Sequence, residues 1–370
     1  MCFDKLISKF FWISAATLFG ACNGNNSAQS QMTGTDLSLK DAYESFFPIG
    51  VSVSGSELVQ EGALIKTQFN SITPVNAMKM VNIHPEEHIY NWKEADSIVA
   101  FAKRNEMKIR GHTLLWHRQL PDWLFRNPDG TRAPRQLVMQ RLKDHITTVV
   151  SRYKKQVYAW DVVNEAISDN PNEFYRSDPL FQVCGEEYLD SAFAWAHTAD
   201  PEAVLFYNDY NEYKPLKRAR IIRLITTLRN RGIPVHAAGL QAHWSIYEPS
   251  ALDLEQTLED FRSAGIPIQI TELDVSIFPK DPRSAAAVQA DTSRAFTAEK
   301  QKLQSAQYEQ VFRLLRKYRQ NITGVTFWNI TDRRTWLDNF PVHGRKDYPL
   351  LFDSNMKPKP AFRKVCRFDD

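Results

Sequence analysis

The chain has 370 residues, 24% of them charged and 43% hydrophobic, with a formal net charge of +3. That charge is too small for the broad basic surface a nucleic acid or another polyanion requires. The composition is that of a folded globular chain rather than a disordered one, and the length suits one large domain as well as two.

The first segment reads as a targeting signal. Lys5 and Lys9 precede an apolar stretch from Phe10 to Ala21, which is short for a bilayer span. It closes in Leu18-Phe19-Gly20-Ala21-Cys22, and small residues before a cysteine resemble a bacterial lipoprotein cleavage box. The expectation is a signal peptide over 1–21, a lipid on Cys22, a polar tether over 22–38 and a catalytic domain over 39–370. The protein is then extracytoplasmic and membrane-anchored in a bacterium, in the periplasm or at the cell surface. A plain secretory peptide cut near Ala21 is the alternative. Of the cysteines that remain, Cys184 and Cys366 are expected as buried free thiols, although an extracytoplasmic location also permits a disulfide.

From Phe47 onward, strand-like and helix-like patterns alternate. The strand candidates are 47–55, 71–76, 108–116, 157–165, 203–209, 237–244, 268–275 and 324–332. Glu165 and Glu272 each follow an apolar run rich in Val, Ile and aromatics, as in a parallel sheet buried on both faces. Between them lie amphipathic stretches such as 215–232 and 253–265. In the second, Leu254, Leu258 and Phe261 recur at helical spacing and Gly265 is a natural helix stop. Eight such units predict an α/β chain folded as a single (β/α)8 barrel. A doubly wound sheet would want a glycine-rich loop after the first strand, and Val53-Ser54-Gly55-Ser56-Glu57 is not one.

Polar residues gather at the C-terminal ends of these runs, the active face of such barrels. They are Asn76 with Lys79, His112 with Trp116, Asn164 with Glu165, Asn208, Gln241 with His243, Glu272 and Trp328. Any one of them alone is more often structural than catalytic; their convergence is the signal. Glu165 ends VYAWDVVNE and Glu272 lies in IQITELDV. Two buried carboxyls facing one cleft are what glycosidic bond hydrolysis needs, one as acid and one as nucleophile or base. Nine Trp and thirteen Tyr suit a sugar-binding cleft, but aromatics also fill cores.

The pieces FNSITPVNAMKM (69–80), GHTLLWHRQLPDWL (111–124), WDVVNEAISD (160–169), YNDYN (207–211), GLQAHW (239–244), ITELDV (270–275) and FWNITDRRTW (327–336) together resemble glycoside hydrolase family 10, the retaining endo-1,4-β-xylanases. The resemblance runs in order from about Leu39 to Phe368. It implies that Glu165 is the general acid/base and Glu272 the nucleophile. It implies support from His243, which holds Glu272 ionised, from Asn164 toward the 2-hydroxyl of the −1 sugar, and from Gln241 near the nucleophile. Asn76, Lys79, His112 and Trp116 correspond to residues gripping the −2 and −1 sugars, and Trp328 and Trp336 to aromatic walls there. Gln119 and Trp336 correspond to positions that crowd the space of a hexose hydroxymethyl group. Asn208, with Tyr207 and Tyr210, corresponds to the aglycone side, with loop packing an equal alternative for these three. The implied partners are xylan and xylo-oligosaccharides, handled by a monomer without cofactor or metal; His84, His88, His117 and His145 show no ligand spacing.

The sequence also departs from the family. Thr73-Pro74-Val75-Asn76-Ala77-Met78-Lys79-Met80 has Val75 where the family has a Glu that bonds the −2 xylose, and Met80 where it has a Trp. A lost charge-assisted hydrogen bond weakens −2 binding by about 1.5–3 kcal/mol. One reading is a roomier −2 pocket that tolerates a decorated xylose; drift in a longer cleft is the other. The segment 276–301 after the nucleophile strand is expected to wall the cleft. Two other functions stay open: a retaining endo-β-1,4-glucanase, and a glycan-binding lipoprotein without catalysis.

Overall fold

The computed structural model describes residues 38–280 and 296–368. The expected signal peptide, Cys22 and nearly all of the tether lie outside the described residues, as does the middle of the segment expected to wall the cleft.

Eight parallel strands close into a barrel: β1 (Ile49–Val53), β2 (Ser71–Pro74), β3 (Lys108–Gly111), β4 (Ala159–Asn164), β5 (Val204–Asp209), β6 (Ala237–Leu240), β7 (Ile268–Ser276) and β8 (Ile322–Phe327). Sequential strands are neighbours, and β8 closes the ring by pairing both β7 (Val325 with Ile270) and β1 (Val51 with Phe327). β1, β4 and β7 are buried at every position, and the polar residues among them, such as Asp161, Thr271, Glu272 and Asp274, are buried with the apolar ones. The architecture is the expected (β/α)8 barrel.

Helices cover the outside. The two amphipathic stretches form Pro215–Asn230 and Ala251–Ser263. In the second, Leu254, Leu258 and Phe261 are fully buried, the Ser250 hydroxyl accepts from the Asp253 amide, and Gly265 follows the last turn at φ +65°. Cys184 and Cys366 are buried free thiols, so of the two expectations it is the unpaired one that the fold contains.

Two predicted strands are broken, and both breaks lie at the C-terminal rim. The run 108–116 leaves the ladder after Gly111 and resumes only as Leu115–Trp116; the run 237–244 leaves it after Leu240 and resumes as His243–Ser245. In the second gap Ala242 has φ +59°. The physical reason is that a regular strand points successive side chains to opposite faces, whereas here several neighbouring residues must reach one mouth. Asn164 is the last residue of β4, and Glu165 just beyond it has φ +62°. A left-handed backbone at a residue with a Cβ costs about 1–3 kcal/mol and persists where its surroundings hold it.

Candidate active site

The barrel's rim gathers the two glutamates over a row of amides. Gln241 Nε2 donates to Glu165 Oε1 (2.9 Å) and to Asn164 Oδ1 (3.1 Å). Asn208 Nδ2 donates to that same Asn164 oxygen (2.9 Å) and to Glu272 Oε1 (2.8 Å). Three neutral side chains thus join the two carboxyls in one hydrogen-bonded row. Its depth is fixed by close packing: Thr271 Oγ1 donates to Asn208 Oδ1 (2.7 Å), and a Cβ on Gly239 would come within 2.1 Å of that oxygen.

The carboxyls differ in ionisation. Burial is the largest influence on Glu165 and pushes its carboxyl above the usual range; the nearby charges of Asp209 and Glu272 add to this, against the hydrogen bond from Gln241. Burial outweighs the charge of Glu272, the smallest of these influences. Burial also works against the charge on Glu272, but there it is overcome by His112, His243 and Asn208, and Glu272 is held down at about 2. The two carboxyls are thus shifted in opposite directions, the kind of separation that sets an acid apart from a nucleophile.

Asp274 explains the charge on His243. It accepts from His243 Nδ1 (2.8 Å) while His243 Nε2 faces Glu272 Oε2 at 3.3 Å. Burial would lower His243, but Asp274 and Glu272 outweigh it and raise it to about 9, so the ring is cationic at neutral pH and both nitrogens donate. Asp161 plays a parallel part on the other wall, accepting from His112 Nδ1 (2.8 Å) and taking the buried Arg110 guanidinium on both oxygens.

The remaining predicted residues distribute as follows. Lys79 is buried, its ammonium 4.8 Å from the Trp116 ring and 3.0 Å from Asn76 Oδ1. Burial lowers its pKa, and the charges of Glu272 and Glu165 oppose that. Trp328 meets His112 edge to face at 5.1 Å, and Trp336 packs on His243 at 4.7 Å and donates to Asp274 (2.8 Å). Gln119 is exposed at φ +54°, its carbonyl accepting from the Val81 amide (3.1 Å). Gln241, expected near the nucleophile, hydrogen-bonds Glu165. Asn208 differs from what the resemblance implied: it is fully buried and bonded to Glu272 rather than at the aglycone side. Tyr207 is likewise buried, its hydroxyl donating to Asp209 (2.5 Å) and accepting from the Ile167 amide (3.0 Å).

Sequence reasoning passed over Asp274 and Asp161, and weighed His117 only as a metal ligand. The signal for Asp274 was present: two residues after Glu272 on one strand, it shares that residue's face. His117 Nδ1 lies 3.7 Å from Glu165 Oε2, and burial together with Arg176 and Arg118 lowers it to about 3, so it is neutral.

Comparison with known proteins accords with this geometry. Residues 38–368 match Glycosyl hydrolase family 10. A β-1,4-xylanase of Dictyoglomus thermophilum is 45% identical over 331 residues, spanning 90% of this chain and 91% of that protein. Endo-1,4-β-xylanase B of Paenibacillus barcinonensis is 45% identical over 332 residues, spanning 90% of this chain and 98% of that one. The crystal structure of a xylanase from Paenibacillus barcinonensis with a conduramine derivative superposes with a TM-score of 0.86, at 45% identity, over 90% of this chain and 99% of the other. The chain belongs to glycosyl hydrolase family 10.

Proposed function

We propose that this glycoside hydrolase is an endo-1,4-β-xylanase that cleaves the xylan backbone with retention, Glu165 acting as acid/base and Glu272 as nucleophile. The observation that carries the reading is the pair of buried carboxyls on one rim, joined through Gln241, Asn164 and Asn208, with Glu165 shifted up and Glu272 held at about 2. In the first step the Glu272 carboxylate attacks the anomeric carbon while Glu165 gives its proton to the departing glycosidic oxygen. The ester removes the negative charge of Glu272, which lowers the pKa of Glu165. Glu165 then takes a proton from water, the water oxygen bonds to the anomeric carbon, and Glu272 leaves as carboxylate. Lys79, Asn76, His112, Trp116, Trp328 and Trp336 grip the glycone, and Gln119 with Trp336 excludes a hexose.

Digestion of glucuronoxylan and arabinoxylan with sequencing of the products tests linkage and endo action together. Equal rates on xylan and carboxymethyl cellulose would instead favour a glucanase. Release of reducing sugar undiminished in Glu165→Ala or Glu272→Ala would point to a binding protein.

Two finer parts belong to the same proposal. Val75 is half-buried at the rim, and a neutral side chain there leaves the −2 pocket open to a decorated xylose. Digests in which no oligosaccharide carries a substituent on the −2 xylose would refute this. The enzyme acts as a monomer tethered outside the cytoplasm by a lipid on Cys22. Incorporation of labelled fatty acid into the wild type, lost in Cys22→Ala, is the expected result.

A further inference from the structure

Glu165 sits on a left-handed backbone at the start of the segment 165–169, just beyond the last pair of β4 with β5. Its amide makes the last tie to the barrel ladder, donating to the Asn208 carbonyl (2.9 Å), while its own carbonyl is held by a side chain from eleven residues further on. Arg176 Nε donates to the Glu165 carbonyl (2.9 Å), and Nη2 donates to the Ile167 carbonyl (3.4 Å), to Asp169 Oδ2 (3.0 Å) and to the Tyr210 hydroxyl (2.9 Å). The Arg176 amide closes the segment from the other side by donating to the Ala166 carbonyl (2.8 Å). Tyr210 in turn donates to Asp169, and Lys217, on the helix Pro215–Asn230, reaches the Ile167 carbonyl (2.8 Å), Asp169 (3.4 Å) and Asp209 (3.0 Å). The far end of this network is a barrel strand and an outer helix, both rigid; its near end is the peptide of the catalytic acid.

We infer that Arg176 is a positioning residue for Glu165, its planar guanidinium gripping the Glu165 carbonyl and Asp169 at once so that the left-handed peptide stays aimed at the glycosidic oxygen. A lysine carries the same charge but one compact head, and cannot span both partners from one plane. Loss of the grip frees the peptide to relax toward ordinary backbone, which swings the carboxyl away from the leaving group. A displacement of that kind costs up to about 100-fold in rate without removing any group that touches the substrate.

The inference rests on the reading of Glu165 as acid/base, and the test separates the two. The full-length enzyme is assayed on xylo-oligosaccharides, whose leaving group needs a proton, and on dinitrophenyl β-xylobioside, whose leaving group does not, with and without azide. Azide nitrogen bonds to the anomeric carbon of the glycosyl-enzyme as the ester to Glu272 breaks and its electron pair returns to the carboxylate, so no base is needed. Arg176→Ala is expected to lower kcat/KM on xylo-oligosaccharides by about 10- to 100-fold while keeping it within about threefold on the aryl substrate. Its steady-state turnover of the aryl substrate is expected to rise with azide and to yield the β-xylobiosyl azide. Arg176→Lys is expected to lie between it and the wild type, and carries the same comparison if the alanine variant does not fold. Equal losses on both substrates without azide rescue, beside a Glu165→Ala control that does show both effects, overturn the role of Arg176 alone. A Glu165→Ala control that shows neither effect overturns the acid/base reading itself and the inference with it.

Discussion

Glu165 and Glu272 are both buried carboxyls on one rim, yet their surroundings are opposites. Glu272 lies inside β7, on regular backbone, and the groups that face it are a cationic imidazole at 3.3 Å and a donating amide at 2.8 Å. Glu165 lies just past β4, on left-handed backbone; its neighbours are the amides of Gln241 and Asn164 and a His117 ring lowered to about 3. Burial raises both, so burial cannot distinguish them. The distinction comes from partner charge: cations at one carboxyl, neutral dipoles and like charges at the other. The backbone differs as well: Glu272 lies within the sheet, whereas Glu165 keeps only its amide on the Asn208 carbonyl (2.9 Å) and has its own carbonyl on Arg176 (2.9 Å).

The comparison can be broken in four places. The largest effect is expected for Glu272→Ala, a loss of about 10⁴-fold or more in kcat on every substrate, measured by reducing-sugar release. Glu165→Ala comes next, with a loss of about 10²–10⁴-fold on substrates with poor leaving groups. If the two variants behave alike across leaving groups, the division of labour is wrong.

His243→Asn removes the cation from the Glu272 side and makes the two environments more alike. Glu272 then ionises at higher pH, so the acid limb of the kcat/KM profile should move up by about one to two units, with the alkaline limb set by Glu165 moving less. The stability consequence has a definite sign. His243 is raised from 6.5 to about 9 on folding, so the stability it contributes is fully present below 6.5 and is lost as pH rises through about 9. Glu272, held at about 2, contributes stability above its ordinary 4.5 that is lost as pH falls through about 2. Denaturant melts of the wild type and His243→Asn should therefore converge at the alkaline end and diverge below it. A constant gap across that range would refute the assignment.

The smallest expected effect is that of Gly239→Ala, which touches neither carboxyl. Its Cβ meets Asn208 Oδ1 at 2.1 Å and must displace the amide that links Asn164 to Glu272. A stability loss of about 1–3 kcal/mol is expected from overpacking, with a fall in kcat and little change in KM. Unchanged kcat would show that the row of amides is structural only.

Much of this architecture is visible in the linear order of residues, for a physical reason in each case. Barrel strands alternate along the chain with amphipathic helices, so the eight β/α units stand out. A carboxylate at the end of such a run is costly unless it has a task, so Glu165 and Glu272 stand out as well. The breaks in the runs 108–116 and 237–244 do not, because His112, Ala242 and His243 carry no turn signal; the strand ends there to aim them. The hydrogen bond of Gln241 to Glu165 is not visible either, since adjacency along the chain says nothing of which rim residue it meets across the barrel.

By itself the sequence determined the fold class, the family and the identity of the two carboxyls, because these depend on pattern and residue type. Only the tertiary structure decided how each carboxyl's surroundings are completed, since Asp274, Asp161, Asn208 and Gln241 come to the site from four different barrel strands and their ends. It alone also brought Arg176 onto the Glu165 carbonyl. Charge and hydrogen bonding act over a few ångströms of space, and that distance is fixed by the closing of the barrel.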